Sequence, residues 1–184
     1  LSGIVKIGAR KGRFGAVGPV RDIHASDVPL VAVGVFILFF GWIGFNGGSA
    51  PFGPHTASIL LNTVLGGVFG GITCLFVGWA LKGISGASTL MNGILAGLVA
   101  ITASADIVAA PAACMIGCLG GLAYLAADEI LLRARLDDAV SAVPVHGIAG
   151  LAGILLTGVF ARQSHLVALS LELGKEVTRG NLIG

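Results

Sequence analysis

The sequence predicts an all-α, polytopic bundle of about five transmembrane helices, and three observations carry that prediction. Of the 184 residues, 55% are hydrophobic and 11% are charged, with a mean hydropathy of +0.97. A soluble domain carries roughly 25% charged residues. The charges are also bunched: no Asp, Glu, Lys or Arg occurs in 28–81, 83–105, 107–127 or 139–161. Finally, the apolar runs are continuous rather than alternating. Continuous runs select helices over barrel strands, because each helix satisfies its own backbone polar groups in lipid.

A hydrocarbon layer about 30 Å thick is crossed by roughly 20 helical residues. Five stretches qualify or nearly so: 28–49, 57–81, 89–105, 111–132 and 139–160, the third being the shortest. Short cytoplasmic loops are enriched in Lys and Arg. Lys6, Arg10, Lys11, Arg13 and Arg21 precede the first crossing, Lys82 follows the second, and Arg133 and Arg135 follow the fourth. The first and third loops hold only Asp106 and neutral or His residues. The first helix therefore runs from the cytoplasm outward, and the region after Phe160 lies outside.

The chain opens at Leu1 without Met, and 1–7 reads as the last turns of an apolar helix entering a basic stretch. We therefore expect a piece of a longer protein. The expected organisation is the end of a preceding helix with a basic cytoplasmic loop (1–27), a five-helix membrane unit (28–160) and a polar extracytoplasmic tail or linker (161–184). The 30 glycines suit lipid, where they let helix backbones approach closely. Gly66 with Gly70, Gly67 with Gly71, Gly117 with Gly121 and the Gly147, Gly150, Gly153 series have that spacing.

Several function classes fall away. The net charge is +2, but the positive residues sit in short loops and form no continuous basic face, so nucleic acid is not an expected partner. Cys74, Cys114 and Cys118 lie inside apolar runs, with too few ligands for a metal and no expectation of a disulfide. No nucleophile–base pair, phosphate-cradling loop or metal-ligand cluster points to an enzyme, and no cofactor is expected.

Polar groups at membrane depth are costly, so each is a candidate for function. With Asp138 capping the fifth helix, His146 would lie eight residues in, about 12 Å from the cytoplasmic end. Pro144 would break a helical hydrogen bond just before it and expose carbonyls. A lone intramembrane His is equally compatible with packing. At the outer end of the first helix, Phe45 and Ser49 share one face, with Ser49 outermost. An aromatic ring and a hydroxyl stacked in this way can strip water from a small cation, the ring contributing about 0.5 to 2 kcal/mol; an aromatic belt at the membrane interface reads equally well. Asn62 and Asn92 read as interhelical hydrogen-bonding or capping residues. His24, His55 and His165 fall in loops or the tail.

These residues resemble the ammonium transporter (Amt/Rh) family. The stretches that carry the resemblance are Arg-Lys-Gly-Arg-Phe at 10–14, Gly-Trp-Ile-Gly-Phe-Asn-Gly-Gly-Ser at 41–49, Asn62-Thr63, Asn-Gly-Ile-Leu-Ala-Gly-Leu-Val-Ala-Ile-Thr at 92–102, Asp137-Asp138 and Val145-His146-Gly147. The resemblance implies one inverted five-helix half of an eleven-helix fold, a homotrimer with one pore per subunit, and residence in a cell membrane, the bacterial inner membrane being expected. It implies that Ser49 serves an outer ammonium-recruitment site, Phe45 a pore gate, Trp42 the pore wall and His146 one of two pore histidines. Ammonium would be recruited, dehydrated and deprotonated, and ammonia conducted along an apolar path. In some members the same unit senses ammonium for a fused kinase or cyclase, and a tail absent from this chain binds PII-type regulators. Ile43, where an aromatic is usual, and the loop 105–111 depart from the family pattern.

Overall fold

A computed structural model describes residues 2–15, 21, 23, 27–50, 52–83, 86–162, 167 and 170–171. His24, His165 and most of the expected polar tail lie outside the described residues. After a short α1 (Ser2–Ile7) come α2 (Val28–Gly48), α3 (Thr56–Lys82), α4 (Ala87–Thr102) and α5 (Ala110–Arg133). A π-helical segment, Val143–Ile148, then runs directly into α6 (Ala149–Phe160). No strand occurs among the described residues. Four of these stretches are long and apolar enough to cross a membrane: Val28–Gly48, Thr56–Leu81, Ala110–Arg133 and Val143–Phe160.

The helix starts follow local chemistry. Asp27 caps α2, its carboxylate accepting from the Leu30 amide at 2.9 Å. Gly83, at φ +73°, ends α3 with its amide donating to the Trp79 carbonyl at 2.8 Å, a left-handed C-terminal position that favours glycine. At 16 residues α4 is short: about 24 Å at 1.5 Å per residue. The turns that follow it are nevertheless buried at Ser104, Ala105, Ile107 and Val108, and their carbonyls are satisfied. The Asn62 amide donates to the carbonyls of Ala105 (2.9 Å) and Val108 (3.0 Å), and the Arg162 amide to that of Ile107 (2.9 Å). Irregular backbone at this depth requires such partners.

Packing centres on α3, α4 and α5, with α6 set against α4 and α5 and α2 leaning on α3 and α4. The seam is glycine. A methyl on Gly97 would strike the Gly66 carbonyl oxygen, and one on Gly70 would strike that of Gly93. Gly117 and Gly121 of α5 meet the Gly66 and Gly70 carbonyls from the other side, so three helices converge on one backbone stripe. Gly153 rests likewise on the Ala100 carbonyl. Gly147 has only Val143, at 3.9 Å, near its missing methyl and belongs to no such seam. Cys74 is buried there, its thiol donating to the Gly121 carbonyl at 3.3 Å, and all three cysteines are free.

Two expectations at the fifth crossing are corrected. Regular helix begins at Ala142 rather than 139, after a turn in which Ser141 takes φ +51°. The Asp138 carboxylate does cap, but it accepts from Val143 at 2.7 Å. His146 therefore lies about 6 Å along the helix from its start, half the expected distance. Pro144 does not break the helix: it stands in the first turn, where its missing amide interrupts no bond within the helix, and its own oxygen accepts from the Ala149 amide in the five-residue register of a π-helix. Asp137 takes no part in the cap. Its side chain, 2% exposed, accepts from the Arg10 amide, Nε and Nη2, each at 2.8 Å, with Arg13 Nε at 3.7 Å. The basic stretch before α2 is thereby fastened to the loop after α5, on the side that the alternation of Lys and Arg assigns to both.

Candidate functional site

Phe45, four residues before Ser49, presents an exposed ring at the outer end of α2. The Ser49 hydroxyl donates back to the Phe45 carbonyl at 2.6 Å. Its proton is thus engaged, and the oxygen's lone pairs are left for an incoming N–H donor. Trp42, one turn inward, meets the Phe45 ring edge-on with centroids 6.5 Å apart and an interplanar angle of 70°. On its other side the indole lies nearly parallel to the His146 imidazole, at 6.5 Å and 15°. The four residues singled out in the sequence thus form one line of contacts, Ser49–Phe45–Trp42–His146, on two helices.

Tertiary structure adds residues to this line. The Trp42 Nε1–H donates to Thr102 Oγ1 at 2.8 Å, and the Thr102 hydroxyl donates to the Leu98 carbonyl at 2.7 Å. The indole is therefore pinned by a group on α4. Thr102 and Ala103 separate two grooves. An outer groove of about 300 Å³ is lined by Phe45, Asn46, Ser49, Ile59 and Asp106, and an inner one of about 410 Å³ by Val99, His146, Gly150, Leu151 and Ile154. Both grooves share Thr102 and Ala103.

Asn46 is buried, and its amide donates to Thr63 Oγ1 at 3.0 Å, whose hydroxyl donates to the Ile59 carbonyl at 2.8 Å. This link holds the outer end of α2 to α3. Asn92 donates to the Tyr124 hydroxyl at 3.2 Å, the interhelical role its type suggested. Thr102, Asn46 and Asp106 received no role from the sequence. The signal for Thr102 was its place at the polar end of the third apolar run, and for Asp106 it was the acidic interruption of a loop otherwise neutral.

No group of three or more His, Cys, Asp or Glu side chains able to hold a metal occurs among the described residues. Outside the membrane-spanning segments, the hydrogen bonds from Arg10 hold the Asp137 carboxyl down to about 2 against the opposing effect of burial. The same bonds raise the Arg10 guanidinium above its ordinary value. This pair fixes architecture at the inner end, away from the two grooves.

The helices define a polytopic helical membrane protein, and its face carries two adjoining grooves, one lined in part by Asn46, Ser49 and Asp106 and the other largely by apolar side chains around His146. The chain belongs to the Ammonium Transporter Family, whose model matches residues 1–182. It is 45% identical over 165 residues to the Synechocystis protein sll0537, covering 88% of this chain and 30% of that relative. It is 34% identical over 167 residues to the ammonium transporter Amt2 of Archaeoglobus fulgidus, covering 90% and 36%. Among solved structures, a Sensor Amt Protein superposes with a TM-score of 0.87 at 35% identity, over 98% of this chain and 44% of that one. The chain thus spans about a third of the length of these two curated relatives.

Proposed function

We propose that this chain forms one wall of a path that carries ammonium nitrogen across a cell membrane. The observation that carries the reading is the position of Trp42, in contact with the outer aromatic Phe45 on one side and with His146 on the other. Ammonium would reach the outer groove, donate to the Ser49 oxygen and lie against the Phe45 ring, gaining about 0.5 to 2 kcal/mol of cation–π attraction. The inner groove offers Val99, Leu151 and Ile154, and such a lining penalises a charged solute far more than neutral ammonia. A proton must then leave near the boundary between the grooves, where the His146 imidazole can accept a hydrogen bond or a proton.

The family membership and the name of the Archaeoglobus relative support transport over a domain that only senses ammonium for a fused kinase or cyclase. A homotrimeric assembly, a PII-type regulator and the bacterial inner membrane belong to the same proposal. The test is methylammonium uptake and ammonium-dependent current in the full-length protein. His146→Ala should change both. Unchanged transport at normal membrane abundance would remove His146 from proton handling.

A further inference from the structure

We infer that Tyr124 is a positioning residue for His146, its hydroxyl holding the strained turn from which the π-helical segment starts; the inference rests on reading His146 as the proton-handling group. Tyr124 of α5 is 3% exposed, and its hydroxyl oxygen accepts from the Asn92 amide of α4 at 3.2 Å. Its own proton is left for the Ser141 oxygen, its second side-chain partner. The Ser141 hydroxyl donates in turn to Asp128 Oδ1 at 3.5 Å. Asn92, Tyr124, Ser141 and Asp128 thus form one chain of donors that ends on a carboxylate, in which each bond polarises the next.

Ser141 needs such a hold. It takes φ +51°, a left-handed conformation that is costly for residues other than glycine and is kept only where the surroundings over-determine it. The same residue starts the segment that carries His146. Its carbonyl accepts from the Val145 amide at 3.0 Å, and its amide donates at 3.1 Å to the carbonyl of Asp138, whose carboxylate caps Val143. Tyr124 also packs in one buried cluster with Val145 and Ala149, leaving His146, between them in sequence, exposed and stacked on Trp42. A π turn offsets the residues before it by one position, about 100° of helix rotation, from where a continuous α-helix would put them. Loosening the start of this segment therefore changes where His146 points. A role confined to tying α4 to α5 through Asn92 is the structural alternative, and the experiment separates the two.

Concentration-dependent methylammonium uptake, per molecule of full-length protein in the membrane, is the test. Tyr124→Phe keeps the ring and removes only the hydroxyl. Its maximal rate should fall about tenfold, part of the roughly hundredfold that a misplacement of about 1 Å can cost. KM should keep its wild-type value, because Phe45 and Ser49 stand at the outer end of α2. Ser141→Val, which places a β-branched residue where φ is positive, should reproduce the loss, and it decides the question if Tyr124→Phe does not reach the membrane. Ser141→Gly, which adopts this φ freely, should keep the rate and should restore most of it when combined with Tyr124→Phe. Asn92→Ala, which cuts only the tie to α4, should keep the rate. An unchanged rate in Tyr124→Phe, a raised KM, no recovery with Ser141→Gly, or a loss in Asn92→Ala equal to that in Tyr124→Phe would each overturn the inference while leaving the transport reading intact. An unchanged rate in His146→Ala would overturn both.

Discussion

Adding one methyl group to Gly97 tests whether the three-helix seam is as close as it looks. The new carbon would lie 3.0 Å from both the Gly66 carbonyl carbon and the Gly70 Cα, and nearer still to the Gly66 oxygen. All three are backbone atoms of α3 and cannot rotate away. Restoring ordinary contact requires α3 and α4 to separate by about 1 Å, and a gap of that size forfeits roughly a quarter to a half of the dispersion energy of the atoms facing it. Overpacking of this kind costs about 1–3 kcal/mol, against which alanine's advantage over glycine within a helix returns about 0.5–1 kcal/mol. The expected net loss is about 1–2 kcal/mol, or roughly a tenfold fall in the folding equilibrium constant. Gly34→Ala is the control, because nothing lies within 4 Å of its added methyl; it should show only the helix gain of about 0.5–1 kcal/mol. Equilibrium unfolding of the full-length variants in mixed micelles reads both. Equal stability of Gly97→Ala and Gly34→Ala would refute the close-packed seam.

Two further perturbations probe the ends of the bundle. Because Arg10 holds the folded Asp137 carboxyl near 2, below its ordinary 3.8, its stabilising contribution is complete above about pH 4 and is lost as the pH falls through 2. Asp137→Asn should therefore lower stability at neutral pH and flatten its dependence between pH 4 and 2, as followed by acid unfolding of the full-length protein; an unchanged acid profile would contradict the clamp. Asn62→Ala leaves the Ala105 and Val108 carbonyls without the amide that satisfies them, at a cost of about 1–3 kcal/mol for each buried group left unpaired. Hydrogen exchange should rise selectively in the turns at 103–108, and protection equal to wild type there would show that Asn62 does not hold them.

The four long crossings and the short one were legible because lipid makes the signal strong. Charged groups are expelled from the hydrocarbon, so the uncharged runs mark the helices to within a few residues, from 28–49 against Val28–Gly48 to 111–132 against Ala110–Arg133. The start of the fifth crossing was misplaced because Ala139, Val140 and Ser141 are uncharged like the helix they precede, and hydropathy does not distinguish the turn in which Ser141 takes φ +51° from helix. The π register that follows is equally invisible to hydropathy. The Arg10–Asp137 clamp joins residues 127 positions apart, and no local pattern announces such a pair.

The candidate site divides in the same way. Trp42, Phe45 and Ser49 lie on one helix at spacings of three and four, so the sequence alone could place them on one face. That Trp42 meets His146 and Thr102, and that Asp106 joins Ser49 in one groove, was decided by tertiary structure. In a soluble helix the polar face reveals how the helix is turned toward its core, but in lipid every face of α2 can be apolar, and hydropathy loses that information. Rotation about each helix axis is set instead by where backbones can touch. Here that is the stripe of Gly66, Gly70, Gly97, Gly117 and Gly121. The sequence by itself marked which stretches are apolar enough to enter the membrane; the glycine seam decided which of their side chains face one another.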